Sequence, residues 1–248
     1  MATDSPAAMS NETSSTMVSM PSGLVTFFVR FSALSTLIRF IQLLVISALV
    51  SGASAAGPAQ RTVVVLGDSL SAGYGIKIQE GWVNLLAQRL ASEGYGYRVV
   101  NASVSGETTQ GGLARLPRAL ETHKPAIVIV ELGGNDGLRG LPLAVSRANL
   151  NRIIELSSAA KARVVLVGMV IPPNYGPRYG QEFRDMFADL AARHQLAFAP
   201  FLLDKVALNS TLMQADGIHA NAAGQPQMLE NVWPMLKPLL VAPGKPAR

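Results

Sequence analysis

The sequence predicts an α/β domain, a five-stranded parallel sheet with helices on both faces, and two observations carry that reading. Short β-branched apolar runs alternate along the chain with segments whose apolar residues recur at three- and four-residue spacing. The first three runs each stop in a small polar loop, and in open α/β folds that carboxyl edge of the sheet is where ligands bind.

The first strand is Val63-Val64-Val65-Leu66, apolar enough for burial on both sides, and it ends at the turn-forming triplet Gly67-Asp68-Ser69. Residues 80–93 follow as a helix with Trp82, Val83, Leu86 and Leu90 on one face and Gly94 placed to end it. Residues 97–101 form a second strand that runs into the small polar stretch 102–109. Thr108 or Thr109 can cap a helix carrying Leu113, Leu116 and Leu120, which Pro117 should kink or split. Residues 125–132 are the third strand and lead into a loop, Gly133-Gly134-Asn135-Asp136-Gly137. Residues 142–160 are helical, with Val145, Leu150, Ile153 and Ile154 facing inward. The fourth strand, 163–169, enters the proline-rich loop 172–177, and Phe183, Phe187 and Leu190 mark the next helix. After a fifth strand at 196–199, the long stretch 201–221 precedes a final helix with Met228, Val232, Leu236 and Leu239 inward. Pro234 and Pro238 should bend or end it, and the tail 242–248 should fray.

The first 55 residues read differently. A basic flank at Arg39, an apolar run from Phe40 to Val50 and the site Ala53-Ser54-Ala55 have the order of a secretory signal cleaved after Ala55. The rival is a retained anchor through residues 24–50, which would carry Arg30 within the bilayer at about 2.5–3.5 kcal/mol. The polar stretch before Leu24 is long for a signal, and a start at Met17 or Met20 would shorten it. Cleavage leaves residues 56–248 as one domain destined for the periplasm or the exterior. It removes Arg30 and Arg39 with Asp4 and Glu12, so the net charge of +5 is unchanged. These charges are scattered without a basic stripe, which excludes nucleic acid and leaves at most transient contact with anionic lipid. The chain has no cysteine, so disulfides, thiol nucleophiles and cysteine metal sites are excluded.

The chemistry converges on Ser69. A serine hydroxyl needs a base, and the chain offers only His123, His194 and His219. The first two sit at expected helix ends, where an exposed imidazolium is favourable. His219 alone lies in a loop with a carboxylate, Asp216, three residues before it that can orient the imidazole. Gly106 and Asn135 stand in the loops after strands two and three, which neighbour the Ser69 loop if the strand order is flavodoxin-like. Both can supply N–H donors to an oxyanion.

Gly67-Asp68-Ser69-Leu70, Gly106 in Ser-Val-Ser-Gly-Glu-Thr, Gly133-Gly134-Asn135-Asp136 and Asp216-Gly217-Ile218-His219 resemble, in order, the four blocks of the SGNH (GDSL) hydrolase family. Longer stretches, such as Val100-Asn101-Ala102-Ser103 and Pro173-Asn174-Tyr175-Gly176, are similar to its bacterial periplasmic thioesterase I/lysophospholipase group. The resemblance implies a three-layer α/β/α fold and a monomeric serine esterase or thioesterase needing no cofactor or metal. Its small-molecule substrate would be an acyl ester or thioester. Ser69 would attack the acyl carbon, His219 carry the proton and Asp216 orient His219. The N–H groups of Ser69 and Gly106 and the Asn135 amide would hold the oxyanion. Loop 172–177 resembles that group's substrate-responsive loop. One departure is His219-Ala220 in place of the group's frequent His-Pro, which should loosen that loop locally. Two other readings stand beside this one: a carbohydrate deacetylase of the same family, and a binding module in which Ser69 and Ser71 cradle a phosphate.

Overall fold

A run of valines and a leucine cannot leave either face in water, and the chain places it at the interior of its sheet. The computed structural model describes residues 60–242; the expected signal or anchor, its cleavage site and nearly all of the tail lie outside the described residues. β1 (Arg61–Gly67) pairs in parallel with β2 (Tyr97–Asn101) on one side and β3 (Ile127–Glu131) on the other. β4 (Arg163–Val167) and β5 (Ala197–Ala199) extend the sheet, giving the order β2-β1-β3-β4-β5, the flavodoxin-like arrangement. Val63, Val65, Leu66 and all of Ile127, Val128, Ile129 and Val130 are fully buried, as strands covered on both faces require.

Two layers of helices supply that cover. α1 (Ser69–Ala72) is a single turn after β1, and α2 (Trp82–Ser92) packs against α7 (Gln225–Leu236). α3 (Thr109–His123) packs against α5 (Leu143–Ala159), which in turn meets α6 (Pro177–His194). Right-handed crossovers put the two groups on opposite faces of the sheet. No described helix is long and apolar enough to cross a membrane.

Several local expectations change. Pro117 does not split its helix; α3 runs through it, and Pro234 likewise lies within α7. Both prolines are exposed, so water can reach the carbonyls of Leu113 and Glu230 that their missing N–H groups would have bonded. Pro238 acts as expected: α7 stops at Leu236 and a 3-10 turn, Lys237–Leu239, follows. Val145 is 49% exposed rather than inward, and its neighbour Ser146 is buried against Asp136 instead. The Gly133–Gly137 loop is mostly helix: α4 (Gly134–Leu138) makes one turn. It is held by buried Asp136, which accepts the Thr109 N–H and the Thr109 and Ser146 hydroxyls. His123 and His194 end their helices but are half-buried, not exposed, and His194 Nε2 lies 2.7 Å from Asn151 Oδ1. In the 172–177 loop, the Tyr175 hydroxyl donates to the Leu138 carbonyl at 2.7 Å and ties it to α4.

Because Pro117 is exposed in an unbroken helix, Pro117→Ala should stabilise the protein by about 2 kcal/mol, the roughly 3 kcal/mol helix penalty of proline less its restraint of the unfolded chain. Denaturant unfolding checks this; an unchanged or lowered midpoint would show that the helix has no strain to lose there.

Candidate active site

Ser69 opens α1, directly after β1. Four residues cannot sustain a helix by themselves, so the turn depends on caps. Asp68 caps it at the front, its Oδ1 accepting the Leu70 N–H at 3.0 Å. Gly73, with φ at 79°, ends it in the left-handed region that favours glycine. Ser69 is left half-buried at the carboxyl edge of the sheet.

His219 approaches from the far end of the chain. Asp216 Oδ1 accepts the N–H groups of Ile218 at 2.9 Å and His219 at 3.0 Å, which closes a tight turn. Its Oδ2 lies 2.7 Å from His219 Nδ1, and His219 Nε2 lies 2.8 Å from Ser69 Oγ. Burial pushes the Asp216 carboxyl up, but the N–H groups of His219 and Ile218, followed by the His219 ring, outweigh it and hold the carboxyl down at about 2. A carboxylate has no proton to give, so Nδ1 donates to it and Nε2 is left to accept the Ser69 hydroxyl proton. The Tyr74 ring lies over His219 with centroids 4.6 Å apart and planes tilted by 39°.

The turn bearing His219 is braced rather than loosened. Met213 and Ala220 form an antiparallel bridge, flanked by Gln214 N–H to His219 carbonyl at 2.7 Å and Asn221 N–H to Leu212 carbonyl at 2.8 Å. Ala220 is buried and its N–H takes no part in this ladder, so the bonds that brace the turn do not depend on whether proline or alanine stands there. Gln214 Nε2 donates to the carbonyls of Tyr74 at 2.8 Å and Ala220 at 3.0 Å, linking the serine side to the histidine side. Gln225 adds a second link: its Nε2 donates to the Ala220 carbonyl at 3.3 Å and its Oε1 accepts the Trp82 N–H at 3.0 Å.

The two expected donor loops come to the same edge. Gly106, with φ at 79°, is the third residue of a turn closed by the Glu107 N–H on the Val104 carbonyl. The Val104 N–H donates to the Gly67 carbonyl at 3.0 Å, and Arg139 Nη2 donates to the Gly106 carbonyl at 3.1 Å. Asn135, in α4, donates from Nδ2 to Asp68 Oδ2 at 3.1 Å. Among the described residues, the N–H groups of Ser69 and Gly106 have no protein acceptor. The structure therefore brings Ser69, His219 and Asp216 into one hydrogen-bonded line, with Gly106 and Asn135 on adjoining loops.

Sequence reasoning missed what supports them. Gln214 and Gln225 carry no motif signal, and Tyr74 is one aromatic in a glycine-rich loop. Asp68 was legible as part of a turn-forming triplet but not as the cap of α1 or the acceptor for Asn135. It is buried at 2% exposure, and burial raises its carboxyl to about 6 against the opposing Leu70 N–H, Asn135 amide and His219 charge. No cluster of three or more His, Asp or Glu side chains suited to a metal occurs among the described residues.

Residues 65–226 match the family model described as GDSL-like Lipase/Acylhydrolase family. Esterase TesA of Pseudomonas aeruginosa is 53% identical over 182 residues, spanning 73% of this chain and 90% of that protein. Thioesterase 1/protease 1/lysophospholipase L1 of Escherichia coli strain K12 is 42% identical over 179 residues, 72% of this chain and 85% of that protein. A crystal structure of TesA superposes with a TM-score of 0.71 at 53% identity and covers 73% of this chain and 100% of its own. The psychrotrophic esterase EstA from Pseudoalteromonas sp., solved inhibited by monoethylphosphonate, gives 0.68 at 40% identity, covering 72% and 97%.

The state of Asp68 is open to measurement. A carboxyl raised from 3.8 to about 6 on folding is protonated in the native state over a range where the unfolded chain has released its proton. Its contribution to stability is then greatest below about pH 4 and falls as pH rises through about 6. Wild-type unfolding free energy should decline more steeply between about pH 4 and 7 than that of Asp68→Asn. Parallel slopes in the two proteins would contradict the raised value.

Proposed function

The chain belongs to the GDSL-like lipase/acylhydrolase family and is an ester-hydrolysing enzyme, and from that premise we propose that Ser69, His219 and Asp216 perform the hydrolysis through an acyl-enzyme. The observation that carries this reading is the unbroken line from Asp216 Oδ2 through both nitrogens of His219 to Ser69 Oγ. As Ser69 Oγ bonds to the acyl carbon, its proton passes to His219 Nε2, and the Asp216 carboxylate stabilises the imidazolium that results. The N–H groups of Ser69 and Gly106 and the Asn135 amide receive the charge on the carbonyl oxygen, two of them being donors that are free among the described residues. His219 then protonates the leaving group, whose bond to the acyl carbon breaks. A water molecule gives its proton to His219, attacks the acyl-enzyme and releases the acid with Ser69 restored. The phosphate-binding alternative leaves Asp216, His219 and Asn135 without a role and is not retained.

The substrates are carboxylic esters and thioesters with an apolar acyl part, among them aryl, acyl-CoA and lysophospholipid esters. Two features support this. The relatives are named as an esterase, an arylesterase and a thioesterase/lysophospholipase. Tyr74 beside His219, Ile218 next to it in sequence and Val104 in the Gly106 turn are also exposed apolar side chains. The enzyme acts as an exported monomer, its leader removed after Ala55. Sequencing of the periplasmic or secreted protein should find Ala56 at the mature N-terminus; full-length chain in washed membranes would favour the anchor.

Kinetics on a short aryl ester test the assignment. Ser69→Ala should keep the wild-type unfolding curve and lose about three orders of magnitude or more in kcat. Asn135→Ala and Asn135→Asp should each lose roughly 10²–10³-fold in kcat with little change in KM, because the donor acts on charge that develops in the transition state. Near-wild-type turnover by folded Ser69→Ala would falsify the mechanism.

A further inference from the structure

β3 ends in a residue that its neighbours do not explain. Glu131 is fully buried at the end of a strand otherwise made of valine and isoleucine. No cation pairs with it among the described residues. Its Oε2 accepts the Ser71 hydroxyl at 2.5 Å and, at the longer distance of 3.4 Å, the Asp68 N–H. Its Oε1 is buried without a partner among the described residues. Burial, reinforced by the charge on Asp68, drives this carboxyl well above the usual range, and the Ser71 and Asp68 bonds do not restore it. A carboxyl pushed up in this way favours its neutral form, which lessens the penalty of an unpaired buried charge.

The residue paired with Glu131 across the sheet is Gly67. A Cβ at that position would lie 2.8 Å from both Glu131 Oε2 and Ser71 Oγ. The first glycine of the Gly-Asp-Ser triplet thus leaves the space in which the carboxyl reaches under the turn. Asp68 and Ser71, which Glu131 holds, flank Ser69 on either side. Asp68 also holds the Asn135 amide, and Asn101 Nδ2 steadies the Ser71 carbonyl at 2.8 Å.

We propose that Glu131 is a positioning residue of the hydrolase: seated beneath α1 in the space left by Gly67, its carboxyl fixes Asp68 and Ser71, and through them the Ser69 hydroxyl and the Asn135 amide. This inference rests on Ser69 being the nucleophile. A four-residue helix held by so few bonds shifts readily when one is removed, and a displacement of about 1 Å at a reacting group can cost about 10²-fold in rate.

The test is steady-state kinetics on a short aryl ester with Glu131→Met, Glu131→Gln and Glu131→Asp, each checked by an unfolding curve. Wild type must first be active and Ser69→Ala inactive; failure there overturns the mechanism, not the role of Glu131. Glu131→Met fills the space without an acceptor, and its kcat should fall about 10–100-fold with KM changed by less than about threefold. Glu131→Gln offers a neutral oxygen at the same reach and should recover kcat to within about threefold of wild type. Glu131→Asp keeps the carboxyl but is a methylene short, and should resemble Glu131→Met. Wild-type kcat in folded Glu131→Met, a loss confined to KM, or a Gln variant as slow as Met would each overturn the proposal. If Glu131→Met does not fold, equal kcat values for the Gln and Asp variants overturn it and a faster Gln variant upholds it.

Discussion

Ser69 and His219 stand 150 positions apart in the chain, yet their side chains meet at 2.8 Å, and much of the structure serves that contact. A parallel sheet supplies the first half of the solution. All its strands point the same way, so the loops after β1, β2 and β3 gather at one edge without special contacts. The last turn belongs to no strand and must be fixed separately. Gln214 and Gln225 do this, the first joining the turn to the Tyr74 carbonyl and the second joining it to the start of α2. A hydrogen bond spanning so many residues would otherwise have to overcome the entropy of closing a long loop unaided.

The site also separates its carboxyl groups by environment. Asp216 is bound by two backbone N–H groups and the His219 ring and stays ionised, held at about 2. Asp68 is buried with weaker compensation and sits near 6. Glu131, deeper still and beside the charge of Asp68, is pushed well above the usual carboxyl range. The gradient suits their positions. In the proposed mechanism the carboxylate that meets the imidazole must carry charge, while an acid beneath Ser69 would oppose the charge developing there if it were ionised.

The sheet was legible because its signals are local: each apolar run and each amphipathic helix announces its own burial. The strand order and the four polar blocks could be placed because a parallel sheet leaves few alternatives. Details that depend on neighbours were not legible. Pro117 reads as a breaker, and only its exposure within α3 shows why the helix continues. Val145 fits the apolar spacing, but the buried acceptor Asp136 draws Ser146 inward instead. The line from Asp216 to Ser69 was foreseen from residue type and spacing. Glu131 was not, since a glutamate closing an apolar run looks like the strand's first exposed residue, and its burial depends on the glycine 64 positions earlier.

The central claim is that Ser69 is the residue acylated, and peptide mass mapping after a rapid acid quench tests it most directly. The protein is incubated with a slowly hydrolysed aryl ester, digested and its peptides weighed. The account predicts one added acyl group, on the peptide containing Ser69, that disappears with further incubation before the quench and is absent from Ser69→Ala. An acyl group on another residue, carried through turnover, would contradict it.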